Sequence, residues 1–150
     1  MASAFTIVTD SDHSAAELFD ISLSIDAHVA SMAGSGERAV AGVTTGAIGL
    51  GETVTWRARH FGIWFTMTSR ISELDAPRRF VDEQVRGPFR LFRHEHLFAE
   101  VGGRTRMTDT LTVGSPVLGR LVERLVLVPY LRRVITQRNA HLLESFSGRS

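Results

Sequence analysis

The amino-acid sequence predicts an α+β fold in which one antiparallel sheet packs its apolar face against a long C-terminal helix. Short runs of β-branched and aromatic residues, separated by turn signals, extend from Arg38 to Val113. Beyond them, apolar residues recur at steps of three and four, which is the period of an amphipathic helix. Since a sheet with a single apolar face needs a cover, the helix is expected to supply it.

Composition bounds the class of protein. The 150 residues are 43% hydrophobic and 22% charged, which fits one domain over residues 1–150. All 17 basic residues are arginines and cysteine is absent, which excludes Schiff-base lysines, disulfides and thiolate metal sites. A net charge of +1 with scattered arginines predicts no nucleic-acid partner. No leader pattern or apolar run of membrane length is present, so we expect a cytoplasmic protein without a membrane span.

The first forty residues predict one strand and two short helices. The stretch "AFTIVTD" (4–10) carries β-branched residues and is typical of a strand. In "DHSAAELFDIS", either Asp12 or Ser14 is the expected N-cap, with Glu17 in the first helical turn. A second short helix over 24–32 ends at glycines.

Six further strands are expected between Arg38 and Val113, because turn signals such as "HFG", "ELDAP", "RGP" and "VGG" divide that region. Together with the first strand they make a sheet of about seven strands. The glycines at 46, 49 and 51 lack the dinucleotide-binding spacing and open no helix, so they are interpreted as turn residues.

The C-terminal helix is expected to begin near Pro116 and to break near residues 125–129. Pro129 lies inside it and removes the hydrogen bond to the Leu125 carbonyl. We expect Leu125 and Pro129 to lie over a cavity. Either the helix moves at this point and admits a ligand, or the bend only lets the helix follow the curved sheet. The stripe expected to face the sheet is Leu118, Leu121, Leu125, Val128, Leu131, Ile135, Leu142 and Phe146.

The stretch "FRHEHLF" (92–98) holds the most informative polar residues. Alternate side chains of a strand share a face, so the two histidines lie on the same face as two phenylalanines, and Arg93 and Glu95 lie on the other face. The aromatic side is the expected core side and the charged side suits water. The residues expected to line a cavity are Phe92, His94, His96 and Phe98.

The preceding strand, 80–86, supplies the expected partners of the histidines, although its pattern does not decide which face lies inward. The "RGPF" turn at 86–89 joins the two strands as a hairpin, so Asp82 or Gln84 is expected across from His94 or His96. A carboxylate beside an imidazole in an apolar cleft fixes the tautomer and raises the pKa. That arrangement suits a general acid or base.

Three interpretations of the histidines remain open at this point. They are hydrogen-bonded members of a mixed-polarity interior, groups that contact or act on a ligand, or two ligands of a metal site. A metal needs a third ligand from elsewhere, and no HExxH-type spacing supplies one. We therefore predict no metal and no cofactor.

Other polar and aromatic residues are weaker candidates. Trp56 and His60 share a strand face and point inward together, or else form a core tryptophan and a strand-end histidine near water. Asp109 lies with Met107 on the less charged face of its strand and needs a buried partner, for which Arg138 is the first candidate. The histidines expected at surface or cap positions are His13, His28 and His141.

The segments "DAPRRFVDEQVRGPFRLFRHEHLF", "GGRTRMTDTLTVGSP" and "ITQRNAHL" resemble the START-like helix-grip (SRPBCC) superfamily, specifically its polyketide cyclase/dehydrase-like bacterial members. The resemblance implies a curved antiparallel sheet of about seven strands around a long C-terminal helix, with two short helices after the first strand and an interior cavity. Phe92 stands where a tryptophan often occurs, and "GIWFTMTSRI", which includes Trp64, is bulky, so the cavity is expected to differ in shape. The motif positions that match are Phe80, Asp82, Gly87, Pro88, Phe89, His94, His96, Phe98, Asp109 and Pro116.

The resemblance implies a small hydrophobic or aromatic ligand. The first hypothesis is an enzyme that cyclises or dehydrates a polyketide-like compound without a cofactor, with His94, His96 and Asp82 as catalytic residues. The alternative is a non-catalytic carrier or sensor of a lipid or hydrophobic metabolite. The residues expected to bind the ligand are Trp56, His60, Trp64, Gln84, Phe92, Phe98, Met107, Asp109, Leu125 and Pro129.

Overall fold

The computed structural model describes residues 2–115 and 120–147, in which seven strands form one antiparallel sheet. Their order across the sheet is β1-β7-β6-β5-β4-β3-β2, so the chain meanders from β2 to β7 and then places β7 beside β1. The predicted α+β class and strand number are confirmed. The strands are β1 (Ser3–Ser11), β2 (Arg38–Gly42), β3 (Thr53–His60), β4 (Ile63–Asp75), β5 (Arg79–Arg86), β6 (Leu91–Val101) and β7 (Arg104–Gly114).

Two short helices follow β1, as predicted: α1 (Ala15–Ser22) and α2 (Ile25–Ser31). Of the two candidate caps of α1, Ser14 is the N-cap. Its hydroxyl accepts the Glu17 backbone N–H, and the Glu17 carboxylate reaches back to the Ser14 N–H.

Two turns fix the ends of the strands that surround the site. Phe61 and Gly62 both have positive φ, 54° and 75°, which is the geometry of a tight two-residue hairpin turn between β3 and β4. This turn sets His60 opposite Ile63. Between β5 and β6, the Gln84 carboxamide binds both the N–H and the carbonyl of Phe89 and closes the "RGPF" turn.

The C-terminal helix is interrupted where a break was expected. It comprises α3 (Arg120–Val122), a π-helical turn (Glu123–Leu127) and α4 (Val128–Ser147). The Val128 N–H donates to the Glu123 carbonyl five residues back, so the helix widens immediately before Pro129. The expected start at Pro116, and Leu118, lie outside the described residues. None of the described helices is long and apolar enough to cross a membrane.

The π-helical turn changes which residues face the sheet. Leu121 and Leu125 are 69% and 67% exposed, so the prediction that they pack on the sheet is wrong. The prediction assumes 3.6 residues per turn throughout the helix, but the π-helical turn contains more residues than a regular turn. The residues before it are therefore rotated about the helix axis, and Glu123 is buried instead. Beyond the π-helical turn, Ile135 and Leu142 are buried as predicted.

Polar residues divide the apolar core into two clusters. One cluster contains Phe98 of β6 and Met107 of β7, and the other contains Leu111 of β7 with Phe92 packed against it. Between them, the inward positions of the same two strands are held by His94 and His96, and by Asp109. The sequence therefore places a polar belt across an otherwise apolar inner face.

Candidate active site

A cavity of about 440 Å³ lies between the inner face of the sheet and the C-terminal helix. Strands β3 to β6, helices α1 and α2, and α4 all contribute to its wall. The wall is largely apolar, and its volume is in the range of small-molecule sites. Its main apolar residues are Ile25, Val54, Trp56, Phe65, Met67, Ile71, Phe80, Phe92, Leu127, Leu131, Val134 and Ile135.

Two stacked histidines form the polar part of this wall. The rings of His94 and His96 have centroids 3.7 Å apart and an interplanar angle of 21°. His96 Nε2 lies 2.7 Å from Asp82 Oδ2, and the opposite face of the His96 ring stacks on Phe80 at 4.0 Å. The histidines are buried, whereas the Asp82 side chain is 22% exposed. Asp82 is thus the member of the cluster most open to the cavity.

Asp109 holds the two imidazoles from β7. Its Oδ1 lies 2.7 Å from His94 Nε2 and 3.3 Å from His96 Nδ1, and its Oδ2 accepts from Asn139 Nδ2 at 2.7 Å. The guanidinium of Arg138 lies 3.8 Å from Asp109 Oδ1 and is buried, so the predicted pairing of Arg138 with Asp109 is confirmed. Asn139 also donates to Thr9 Oγ1 of β1. The network thus spans β1, β5, β6, β7 and α4.

The environments of the two histidines move their pKa values in opposite directions. Burial lowers the pKa of His94, and the neighbouring His96 lowers it further, despite the opposing bond to Asp109. Burial also disfavours charge on His96, but its contacts with Asp109 and Asp82 outweigh this effect and raise its pKa. The pKa of His96 therefore lies above that of His94, so His96 is the first of the two rings to take up a proton.

Both carboxylates remain ionised. Burial alone would raise the pKa of Asp109, yet its bonds to His94 and His96 hold the pKa well below the ordinary range. Burial opposes the charge on Asp82 too, but the bond to His96 and the nearby positive charge outweigh it and lower the pKa of Asp82. Since the His94 Nε2 proton is donated to ionised Asp109, the lone pair of His94 is assigned to Nδ1, which has no hydrogen-bond partner among the described residues.

The same residues are the group best placed to hold a metal ion in the described part of the chain. Asp82, His94 and His96 each offer one ligand atom, and these atoms lie within 4.8 Å of one another. A bound metal lies in the plane of each imidazole, about 2 Å from the nitrogen. Because the rings are stacked, no point that close lies in both planes. Metal binding would require one ring to turn out of the stack.

Two further polar pairs line the cavity away from the stacked histidines. His60 Nδ1 lies within hydrogen-bond distance of the Tyr130 hydroxyl, at 2.6 Å, and burial lowers the pKa of His60. His28 Nε2 lies 3.1 Å from Glu37 Oε2, and the His28 ring packs on Trp56 at 4.3 Å. These pairs give the cavity polar contacts at more than one place on its wall.

Comparison with known proteins identifies the architecture. No family model matches the sequence, and no curated protein matches it. Among solved structures, TTHA0849 from Thermus thermophilus superposes with a TM-score of 0.79 at 17% identity, covering 99% of both chains. Zhui aromatase/cyclase from Streptomyces sp. R1128 gives a TM-score of 0.78 at 14% identity, covering 99% of this chain and 96% of that one. The chain has the helix-grip fold.

A third solved structure, Ara h 8.0201, is also similar to this chain, although it superposes less closely. That structure gives a TM-score of 0.66 at 13% identity, covering 96% of this chain and 99% of its own. The fold predicted from the sequence resemblance is thereby confirmed. In this helix-grip chain the cavity lies where the sheet curves around the C-terminal helix, which is where the resemblance placed it.

Six of the residues predicted to form the site lie on the cavity wall. They come from three strands, β3, β5 and β6, and include both stacked histidines. The structure also decides the inward face of β5, which the sequence pattern left open, because Phe80 and Asp82 both reach the cavity. The six residues are Trp56, His60, Asp82, Phe92, His94 and His96.

Four predicted ligand-binding residues lie next to the cavity without being part of its wall. Phe98 and Met107 are buried in the core, where Phe98 meets Phe19 edge-on at 5.6 Å. Asp109 lies behind the histidines. The Gln84 carboxamide is occupied by the "RGPF" turn. These residues support the wall from behind, and none of the four lines the cavity, where a ligand would contact it.

Three predicted ligand-binding residues lie on the outside, and their placement on the cavity is wrong. Trp64 is 48% exposed because it pairs with Arg59 on the outer face of the sheet, where the Arg57 guanidinium lies 4.6 Å from its ring. Leu125 and Pro129 point away from the sheet because the π-helical turn shifts the helix face. The adjacent Tyr130 reaches the cavity instead. Access through this part of the helix stays a prediction.

Several cavity residues were missed by sequence reasoning. His28 was assigned to the surface, yet it lines the cavity with Glu37. Ser69 and Tyr130 also lie on the wall. The period-2 pattern of β4 carried a signal for Ser69, since it shares the inward phase of Met67 and Ile71. No local pattern marks His28 or Tyr130, because their positions depend on how the helices dock.

Proposed function

We propose that this protein binds a hydrophobic, aromatic or polyketide-like small molecule and promotes its cyclisation or dehydration by proton transfer. The observation that carries the proposal is a stacked pair of histidines, with pKa values shifted in opposite directions, on the wall of an apolar cavity. Two titratable groups whose pKa values are pushed apart are the usual mark of an acid and a base.

Ligand binding is supported by the cavity itself. Its volume, its apolar wall and its few polar groups fit a compound of one to three fused rings. Aromatic side chains such as Trp56, Phe80 and Phe92 offer flat surfaces for such rings. A structure described as an aromatase/cyclase shares the fold across nearly the whole chain, which favours the same class of ligand here.

The proposed roles follow from the opposite pKa shifts of the two histidines. Neutral His94 is the base, and its Nδ1 takes a proton from a carbon next to a ligand carbonyl. Protonated His96, paired with Asp82, is the acid. In a cyclisation, the enolate carbon attacks a second carbonyl, a C–C bond forms, and the new alkoxide takes the proton of His96. In a dehydration, His96 protonates the departing hydroxyl, so that water and a C=C bond form.

The site needs no outside reactant for either reaction, because one proton is taken by His94 and one is given by His96. Exchange of a proton between the imidazoles and solvent restores the starting state. Asp109 and Arg138 act as positioning residues, since they hold the rings and balance the buried charge. Acid–base help of this kind contributes about 10²–10⁴-fold to a rate.

The test uses proton exchange on an enolisable aromatic ketone. Binding of 2-tetralone is measured by calorimetry, and exchange of its α-protons in D2O is followed by NMR. We expect binding by the wild type and exchange faster than in buffer, with His94→Gln and His96→Gln reducing the rate by about 10²-fold or more. His141→Gln is the matched control because His141 is exposed on α4.

The outcome also tests the alternative, a carrier or sensor of a hydrophobic metabolite. One observation favours the alternative, namely that Asp109 and Asp82 already satisfy three of the four imidazole nitrogens within the protein. Binding without faster exchange, together with a retained lipid in native mass spectra, would contradict the catalytic part and support a carrier. Failure to bind any ring compound, with no lipid retained in native mass spectra, would contradict both.

A further inference from the structure

Ser69 is a buried polar residue on the cavity wall that the proposed proton transfer does not use. It lies on β4 between Met67 and Ile71, which share its inward phase, and it is 4% exposed. Across the sheet it pairs with Val54 on β3 and with Gln84 on β5. Its surroundings on the wall are therefore mainly apolar.

The Ser69 hydroxyl has no hydrogen-bond partner among the described residues. Its polar neighbour, Gln84, uses both ends of its carboxamide on Phe89. A buried hydroxyl without a partner destabilises the folded protein relative to an alanine of similar shape. Since the hydroxyl gives up no bond when it rotates about χ1, it is free to turn toward a molecule in the cavity.

Ser72 provides an internal comparison. Its hydroxyl is also buried without a partner among the described residues, but Ser72 does not belong to the cavity wall. It is the extra residue where the pairing of β4 with β5 shifts between Ile71 and Glu73, and a bulge of this kind accounts for an unpaired side chain. The pairing also shifts between Thr68 and Ser69, but Ser69 itself stays paired on both sides and keeps the inward position.

We propose that Ser69 is a hydrogen-bonding subsite for a second oxygen of the ligand, separate from the oxygen that is held at Asp82 beside the stacked histidines. This inference rests on the proposed function and narrows the ligand class. A plain acyl chain leaves the Ser69 hydroxyl unsatisfied. A fused aromatic compound with an oxygen on each ring satisfies it.

The strand register sets the spacing between the two residues that would hold these oxygens. Ile71 pairs with Asp82 and Ser69 pairs with Gln84, so Ser69 and Asp82 are diagonal neighbours on one face of β4 and β5. Diagonal neighbours in an antiparallel pair are about 7–8 Å apart. Oxygens at opposite ends of a naphthalene ring system match this spacing, whereas two oxygens on adjacent carbons do not.

The experiment compares 2,6-dihydroxynaphthalene with 2-naphthol, using their own fluorescence to measure Kd. For Ser69→Ala we expect the Kd of the diol to rise about fivefold to tenfold, which corresponds to one lost hydrogen bond, while the Kd of 2-naphthol stays unchanged. Ser72→Ala, the matched control, should change neither. Both variants should keep or raise the urea midpoint, because neither hydroxyl makes a bond within the described part of the protein.

Each alternative outcome has a separate meaning. If Ser69→Ala weakens both compounds equally or neither, the subsite is overturned while the proposed cavity binding stands. If Ser69→Ala lowers the urea midpoint, the hydroxyl has a structural role, which also overturns the subsite. If the wild type binds neither naphthalene compound, the subsite is overturned, and the binding of 2-tetralone decides separately whether the proposed function stands.

Discussion

The two faces of β5 and β6 each carry a network of ionic contacts, one in the interior and one at the surface. On the inner face, Asp82 and His96 are 2.7 Å apart within the cavity wall. On the outer face of the same strands, Arg79 Nε lies 2.8 Å from Glu95 Oε2, and both Arg79 and Arg93 reach Glu73 at 3.0 Å. The distances are alike, but the inner carboxylate binds an imidazole in the interior, whereas the outer carboxylates bind guanidinium groups at the surface.

The comparison shows that burial, rather than contact distance, gives charged groups a chemical role. On the outer face the contacts leave each group in the charge state that it has in water, since they lower the pKa of Glu73 and raise that of Arg79. On the inner face they shift the pKa values of two histidines in opposite directions, lowering that of His94 and raising that of His96. The outer network instead covers Val81, which is 0% exposed although it points away from the cavity.

The largest expected difference between the faces is in stability. Asp109→Asn removes the charge that balances Arg138 and His96 in the interior, so we expect a loss of about 3–5 kcal/mol in the free energy of unfolding. Glu95→Gln, a change of the same type on the outer face of β6, should leave that free energy nearly unchanged. Urea denaturation of both variants measures the contrast. Similar losses in the two variants would contradict the distinction.

The next effect concerns Asp82, the inner carboxylate that is most open to the cavity. Asp82→Asn should slow exchange of the 2-tetralone α-protons by about 10²-fold, because His96 loses the carboxylate that keeps it protonated. The stability loss should be smaller than for Asp109→Asn, since Asp82 is partly exposed. Glu83→Gln changes the next residue of β5, on the outer face, and should not alter exchange. Equal slowing in the two variants would count against a role for Asp82.

The third effect is a pH dependence of opposite sign for the two histidines. The pKa of His96 is raised in the folded state, so its contribution to stability is fully present below the ordinary value of 6.5 and is lost as pH rises through the folded pKa. The pKa of His94 is lowered, so its contribution is present above 6.5 and is lost as pH falls through the folded pKa. Hence the cost of His96→Gln should shrink with rising pH and that of His94→Gln should grow. Urea midpoints from about pH 5 to 9, a window on either side of the ordinary histidine pKa, check this, and parallel curves would contradict it.

The smallest effect is expected from the outer network itself. Glu73→Gln removes the carboxylate shared by Arg79 and Arg93, but water and salt already screen those charges. We expect the urea midpoint to shift little, and the difference from the wild type to vanish in about 0.5 M NaCl. If the urea midpoint of Glu73→Gln stays lower than that of the wild type at high salt, the ion pairs over Val81 contribute more to stability than a screened surface network should.

Much of the fold and part of the site could be predicted from local patterns. Alternation in "FRHEHLF" placed His94 and His96 inward with Phe92, and the hairpin turn brought Asp82 to them, because both features depend only on strand period and turn chemistry. Arg138 was a candidate partner of Asp109 because a buried carboxylate needs one.

The errors arose where geometry is not local. Leu125 was placed on the cavity by a helix period that the π-helical turn interrupts, and Pro129 because the break in the helix was expected to lie over the cavity. Nothing in the sequence before the π-helical turn marks how many residues it contains. His28 reaches the cavity because α2 docks near the start of β2, where Glu37 binds it. Its neighbours in sequence give no sign of that contact. The sequence pattern predicts where the helices form, but it does not predict how they pack on the sheet.

The central claim is that the two stacked histidines have different protonation states at the same pH, and the ring 15N chemical shifts of all histidines during an NMR titration test it most directly. We predict that His96 titrates above 6.5 and His94 below it. We also predict that Asp82→Asn lowers the pKa of His96, whereas Glu83→Gln does not. Titration of His94 and His96 together near 6.5, unaffected by Asp82→Asn, would contradict the account.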